Sequence, residues 1–130
     1  MTIEKQNELI NMGFFKENNY KIIEIDKDKC ILEGIVTESS LNFLGIIHGG
    51  YIFGLIDTAA GMLVNNMEEK AVTTSAFVDY IKKATGKSLV ATAKFIKKGR
   101  HISNIDVEVI DKSGTLIAKA IVNFMKVEDI

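Results

Sequence analysis

Residues 46 to 64 read IIHGGYIFGLIDTAAGMLV, from Ile46 to Val64. The length of this apolar run approaches that of a membrane span. His48 and Asp57 interrupt it, however, and an Asp at the centre of a bilayer is costly. It therefore reads as a helix buried inside a soluble domain, opening at Gly49 or Gly50 and running to about Asn66. What surrounds it decides the fold. From Ala71 onward the chain is nearly all strand: Val72 to Lys82, Lys87 to Lys97, Ile102 to Ile110 with clean alternation, and Leu116 to Val127 after the turn Asp111-Lys112-Ser113-Gly114. Before the helix, Tyr20 to Ile25 and Cys30 to Val36 flank the turn Asp26-Lys27-Asp28-Lys29 as a hairpin, and Thr37 to Ile47 is a loop. Thr2 to Phe15 is expected to form one amphipathic helix, with Ile3, Leu9, Ile10 and Met12 apolar, ending near Gly13. The last four strands are expected to form three consecutive hairpins. The predicted class is α+β: an antiparallel sheet of about six strands curved around one long central helix, with a short N-terminal helix.

Length and composition set the outer bounds. The 130 residues suit one domain covering residues 1–130. With 47% apolar and 25% charged residues the chain resembles an ordinary folded protein, and a net charge of −1 argues against a nucleic-acid partner. Cys30 is the single cysteine, flanked by Ile31 and Leu32, and reads as a buried strand thiol. It cannot make an internal disulfide, and no metal site is suggested. The N-terminus lacks the apolar core of a signal peptide, so a cytoplasmic location with no membrane partner is expected.

The central helix breaks propensity rules in an informative way. Each interior Gly costs a helix about 1 kcal/mol relative to Ala. Gly50, Gly54, Asp57 and Gly61 fall on one stripe by their spacing of three and four. Such a stripe admits a backbone or a ligand at close range. Asp57 sits in its middle, with no Lys or Arg within a helical turn. A carboxylate there either bonds a hydroxyl or amide and specifies packing, or does chemistry with an environment-tuned pKa. His48 is a capping or turn residue, or a binding one. The amides of Gly49 and Gly50 are first-turn donors with the helix dipole behind them, suited to a developing oxyanion. Asp57 follows His48 by nine residues, which is about 13 Å and two and a half turns of helix, placing them on opposite faces. A site that uses both needs a second copy of the chain to supply one, and a two-fold dimer does so twice.

The residues Asn42, Gly45, His48-Gly49-Gly50, Leu55, Asp57, Ala59 and Gly61 spell N-x-x-G-x-x-H-G-G-x-x-x-x-L-x-D-x-A-x-G. This pattern resembles the hotdog-fold thioesterases of the phenylacetic-acid-degradation (PaaI-like) type. The Thr-rich strand Thr73 to Ala84 and the closing hairpin after Lys98-Gly99-Arg100 are also similar, so the resemblance covers about Lys21 to Val127. It implies a dimer, commonly paired into a dimer of dimers, that cleaves acyl-CoA thioesters without a bound cofactor or metal. It implies Asp57 as nucleophile or general base, and the Gly49 amide as the group polarising the thioester carbonyl. His48 would support that turn, and Asn42 would position the water or leaving thiolate. Asp57 would lie across the subunit interface from the other three. A strand hydroxyl, Thr73 before Thr74, would assist the carboxylate. Where the family usually has Pro, with Arg nearby, this chain has Ile81-Lys82-Lys83-Ala84 after Tyr80, which alters the loop bordering the CoA channel.

Coenzyme A carries several phosphate charges, and two basic turns are candidates to hold them: Lys97, Lys98 and Arg100 in one, Lys82 and Lys83 in the other. Gly50 and Phe53 are further substrate-binding candidates, with the acyl group between helix and sheet near Phe53, Leu55 or Phe77. Two other functions fit the same architecture. One is a non-catalytic acyl-CoA binding or sensing protein, which needs no carboxylate. The other is a hydratase or dehydratase moving water across an enoyl thioester.

Overall fold

The computed structural model describes residues 1–66 and 69–128. A six-stranded antiparallel sheet wraps one long helix. The chain enters through two short helices, α1 (Ile3–Ile10) and α2 (Gly13–Glu17), rather than the single helix expected over Thr2 to Phe15. The break has a local cause. The Asn11 side chain donates to the Asn7 carbonyl, and Met12 is extended and acts as the N-cap of α2, so Gly13 opens a helix instead of ending one. Helix α1 buries no residue, whereas α2 anchors the entry through Phe15.

Strands β1 (Tyr20–Ile25) and β2 (Lys29–Ile35) form the expected hairpin. A 3-10 turn (Glu38–Ser40) and a loop lead to α3 (Gly49–Val64), followed by β3 (Ala71–Tyr80), β4 (Ser88–Lys97), β5 (Ile102–Asp111) and β6 (Leu116–Lys126). The strand order is β1-β2-β4-β5-β6-β3. Thus β4, β5 and β6 form two hairpins, but β3 and β4 do not form the third that was expected. The connection between them is pinned across the end of the sheet: Ile81 and Lys82 amides donate to the Ile117 carbonyl, Ile47 to Ala84, and Val36 to Lys87. This carries the chain over three strand spacings, about 14 Å, and leaves β3 as an edge strand.

The central helix is held over a floor of small residues. Ala91, Ala93, Ala118 and Ala120 are almost fully buried and let α3 lie close, where Leu55, Ile56, Ala59 and Ala60 meet Leu32, Val107 and Val109. Each fully buried Leu or Ile here contributes roughly 1.5–3 kcal/mol from apolar burial. Cys30 is fully buried as expected, and burial pushes its thiol up to about 12. Among the described residues, no helix is long and apolar enough to cross a membrane.

Candidate active site

Two clusters of candidate residues sit on α3, at its start and at its middle. At the start, His48 is the N-cap: its backbone is extended, and its Nδ1 accepts from the Gly50 amide at 2.7 Å. That bond requires Nδ1 to be unprotonated, so Nε2 carries the hydrogen of the neutral ring. The His48 amide itself donates to the buried Ser40 carbonyl, fixing the approach of the loop. Gly50 is thus used by the cap. The Gly49 amide makes no hydrogen bond among the described residues, and it stands at the positive end of a 16-residue helix. Asn42 is half-buried a few residues earlier. Its Oδ1 accepts from the Leu44 and Ile46 amides, and Gly45, at φ +79°, closes that turn by donating to the Asn42 carbonyl. The N-x-x-G part of the motif is therefore a side-chain-braced turn that presents His48 and Gly49.

The middle cluster is Asp57 with Thr73. Asp57 is half-buried, and the Thr73 hydroxyl on β3 donates to its Oδ1 at 2.7 Å. One carboxylate oxygen is thereby fixed, and Oδ2 makes no hydrogen bond among the described residues. Thr74 takes no part: its hydroxyl donates to the Asn123 carbonyl, and it is the extra residue of a β-bulge between Thr73 and Ser75. The bulge also moves Phe77. Directly paired residues share a face of the sheet. Thr73, Ala76, Val78 and Tyr80 pair with the inward Phe124, Val122, Ala120 and Ala118, whereas Phe77 pairs with the outward Ile121. Phe77, 68% exposed, lies on the outer face and does not border the space between helix and sheet, where the acyl group was expected. Leu55 is fully buried core and leaves no room there either, while Phe53 is 37% exposed on α3, one turn before Asp57.

The glycine stripe is not one surface. A Cβ on Gly54 would stand 2.6 Å from Tyr20 Oη and 3.0 Å from the Phe14 ring, so Gly54 accommodates the entry segment. A Cβ on Gly50 would meet His48 at 3.0 Å. On Gly61 it would meet nothing nearer than Phe124 at 3.9 Å.

Tyr80 is a site residue that motif reading left unassigned. It faces inward from the last position of β3, its hydroxyl donates to the Gly49 carbonyl at 3.1 Å, and its ring lies against Gly49. Desolvation holds its hydroxyl above the ordinary phenol range. The only sequence signal was an aromatic at the end of a strand after Asp79. Strand β3 therefore runs antiparallel beside α3, with Tyr80 at Gly49, Thr73 at Asp57, and Ala71 hydrogen-bonded to Asn65. Within the chain, Gly49 and Asp57 are about 12 Å apart along the helix axis, by its 1.5 Å rise per residue.

The basic turns are exposed and lie at opposite ends of the sheet. Lys82 follows Tyr80, at the His48 end. Lys97, Lys98 and Arg100 lie at the β4–β5 turn, beyond the Ile102–Met125–Val72 row, at the Ala71 end. Lys98 Nζ sits 5.5 Å over the Phe95 ring. Among the described residues, no group of three or more His, Cys, Asp or Glu could hold a metal ion.

Comparison with known proteins places this geometry in a family. A family model described as the thioesterase superfamily matches residues 44–118, which takes in both clusters except Asn42. The acyl-coenzyme A thioesterase PaaI of Escherichia coli is 29% identical over 98 residues, covering 75% of this chain and 70% of that protein. Human acyl-coenzyme A thioesterase 13 is 32% identical over 95 residues, covering 70% and 68%. A hypothetical thioesterase of Streptococcus pneumoniae, crystallised with coenzyme A, superposes with a TM-score of 0.81 at 27% identity, covering 85% of this chain and 88% of its own. Two further structures of that protein carry an Asp→Ala and a Thr→Ala substitution at positions 16 apart, the separation of Asp57 and Thr73. The chain belongs to the thioesterase superfamily and has its hotdog architecture.

Proposed function

We propose that this protein hydrolyses acyl-CoA thioesters at a site built from two copies of the chain. The observation that carries the reading is the antiparallel course of β3 beside α3. Edge strand β3 has no partner on its free side among the described residues, and unpaired edges invite strand pairing. If two copies pair β3 to β3 around a two-fold axis, the Tyr80 end of one strand meets the Ala71 end of the other. The Gly49 amide of one copy then faces Asp57 and Thr73 of the other. The same operation brings Lys82 of one copy toward Lys97, Lys98 and Arg100 of the other, so that the phosphates of CoA meet both basic turns at one end of the interface.

In this site the Gly49 amide, backed by the helix dipole, donates to the thioester carbonyl oxygen and stabilises the charge that forms there. Asp57 acts on the carbonyl carbon, either by taking a proton from an attacking water or by attacking directly. In the water route the tetrahedral oxyanion collapses, the carbon–sulfur bond breaks, and Asp57 returns its proton to the departing thiolate. Thr73 holds Oδ1, so Oδ2 is the reacting oxygen. His48 keeps the Gly49–Gly50 turn in place, and Asn42 presents it. The chemistry draws on no bound cofactor, and CoA enters as part of the substrate.

Thiol release from hexanoyl-CoA and benzoyl-CoA tests the proposal. Asp57→Asn is expected to lower kcat by at least about a hundredfold, the range of a positioned acid–base group, with the fold retained by circular dichroism. Unchanged turnover in that variant contradicts the assignment. Stoichiometric CoA binding without thiol release supports a binding module instead, and loss of enoyl absorbance without thiol release supports a hydratase.

A further inference from the structure

Packing within the chain buries every large apolar side chain of α3 except Phe53, which is 37% exposed. Phe53 shares its face of the helix with Gly50, Asp57 and Gly61, at spacings of three and four, and each of these is also exposed or only half-buried. It lies four residues after Gly49 and four before Asp57, about 6 Å of helix from each. A two-fold axis that brings Gly49 of one copy to Asp57 of the other exchanges the two ends of this interval. The residue at its midpoint then meets its own counterpart. The side chain that packing leaves exposed is therefore the one that the rotation would set against itself. The charges agree with this arrangement. Asp57 is the only charged side chain of α3, so no like charges oppose each other where the axis would pass. The two carboxylates would stand about 12 Å apart along the helices, each against the positive N-terminal end of the other helix.

We propose that the surface around Phe53 is where the central helices of two copies meet, with the Phe53 ring packed on the same ring of the partner at the two-fold axis. The inference rests on the reading of Gly49 and the partner's Asp57 as one site, and it adds the contact that sets the register between them. Each site is then bordered by a ring from both chains, and the pair of rings stands between the two reaction centres. A phenyl ring suits the place, because two such rings attract in offset-stacked or edge-to-face arrangements and bury a large apolar area. Gly50, on the same face, adds no side chain that would hold the helices apart.

Two experiments on the full chain test the contact, and each decides if a variant of the other fails to fold. Cys30 is fully buried, so Phe53→Cys supplies the one accessible thiol. Bismaleimidoethane is expected to link this variant into covalent dimers at least about fivefold more readily than Thr58→Cys, whose two thiols would stand about 15 Å apart along the helices. In the second experiment, Phe53→Asp and Phe53→Lys each oppose like charges at the axis. Each is expected to raise the Kd of the pair more than about tenfold, with the fold retained by circular dichroism. Mixing the two opposes unlike charges and is expected to restore pairing, as it would for a residue that faces itself. A dimeric Phe53→Cys protein that links no better than Thr58→Cys overturns the proposal. So do charged variants as dimeric as the wild type, and so does a mixture as dissociated as its components. These results leave the hydrolytic reading in place when the wild type is a dimer that releases thiol. A wild type that light scattering shows to be monomeric overturns the divided site itself, and this contact with it.

Discussion

Asp57 and Tyr80 show how single side chains are placed for chemistry by contacts far apart in sequence. Among the described residues, Asp57 accepts one side-chain hydrogen bond, from Thr73, 16 residues on. Its role was suggested in the sequence by isolation, an acid among glycines with no cation nearby. The resemblance put Thr73 before Thr74 as the strand hydroxyl near the carboxylate, and it is the Thr73 hydroxyl that donates to Asp57. Tyr80 was not legible in the same way, because the contact that matters joins a strand end to a helix start 31 positions earlier. In the proposed function Tyr80 would position the Gly49 turn through its hydrogen bond to the Gly49 carbonyl. Tyr80→Phe keeps the ring but removes one hydrogen bond, whose net worth of about 0.5–1.5 kcal/mol corresponds to a fall in kcat of about two- to tenfold. KM is expected to stay within twofold, about the reproducibility of such assays, because binding does not depend on this bond. Steady-state kinetics on the two proteins measure the split. A rise in KM with kcat unchanged would instead assign Tyr80 to substrate binding.

At the scale of elements, the hairpins were readable wherever a tight turn announced them. Asp26 illustrates this: its Oδ1 accepts from the Asp28 and Lys29 amides. Asp111 braces the β5–β6 turn, accepting from the Ser113 hydroxyl and amide and the Thr115 amide. The place of β3 was not readable, because local alternation says where a strand is and not which neighbour it chooses. The bulge at Thr74 was equally hidden, and it alone sends Phe77 to the outer face while Thr73 stays inward. Two predictions follow from these elements. The Ser113 hydroxyl first, then the Thr115 amide, holds the Asp111 carboxyl below its ordinary value of 3.8. The sign is that of a depressed acid: the turn contributes stability above that value and loses it as pH falls through the lower folded-state value. Asp111→Asn is therefore expected to melt below wild type near neutral pH, and the gap to shrink as pH falls below 3.8. Thermal melts across that range decide, and a gap that widens on acidification refutes it. Gly54→Ala is expected to destabilise by about 1–3 kcal/mol through overpacking. The Tyr20 hydroxyl that it would strike is tied to the Tyr51 carbonyl and cannot swing away freely. Gly61→Ala meets no such obstacle and is expected to gain about 1 kcal/mol of helix propensity. Urea titrations of the two variants should therefore move in opposite directions.

For the whole molecule, the proposed function turns on a candidate site divided between two copies of the chain. Helix periodicity put His48 and Asp57 on opposite faces; in the structure His48 is the extended N-cap of α3, and Gly49 and Asp57 both border β3, about 12 Å apart along the helix, with Asp57 half-buried rather than sealed in the core. Exposed apolar side chains cluster on the β3 edge and its outer face, with Val72, Phe77, Ile121 and Met125 each at least 40% exposed. Such a patch marks an interaction surface, and two-fold pairing of β3 would cover or extend it. The basic turns were visible in the sequence, but their placement at opposite ends of one sheet was not. In the proposed two-fold dimer that placement would bring the two turns toward each other.

Complementation between two inactive variants tests the split site most directly. Gly49→Pro removes the donor amide with little insult to the helix, since proline suits the first helical position and the extended His48 (φ −64°, ψ 136°) tolerates a following proline. Asp57→Asn removes the carboxylate. In a dimer containing one of each, one site keeps both functional groups and the other has neither. Co-refolding equal amounts of the two proteins, each nearly inactive alone, is predicted to restore about a quarter of wild-type thiol release, because half the dimers are mixed and each has one intact site of two. A mixture no more active than its separate components would contradict the account.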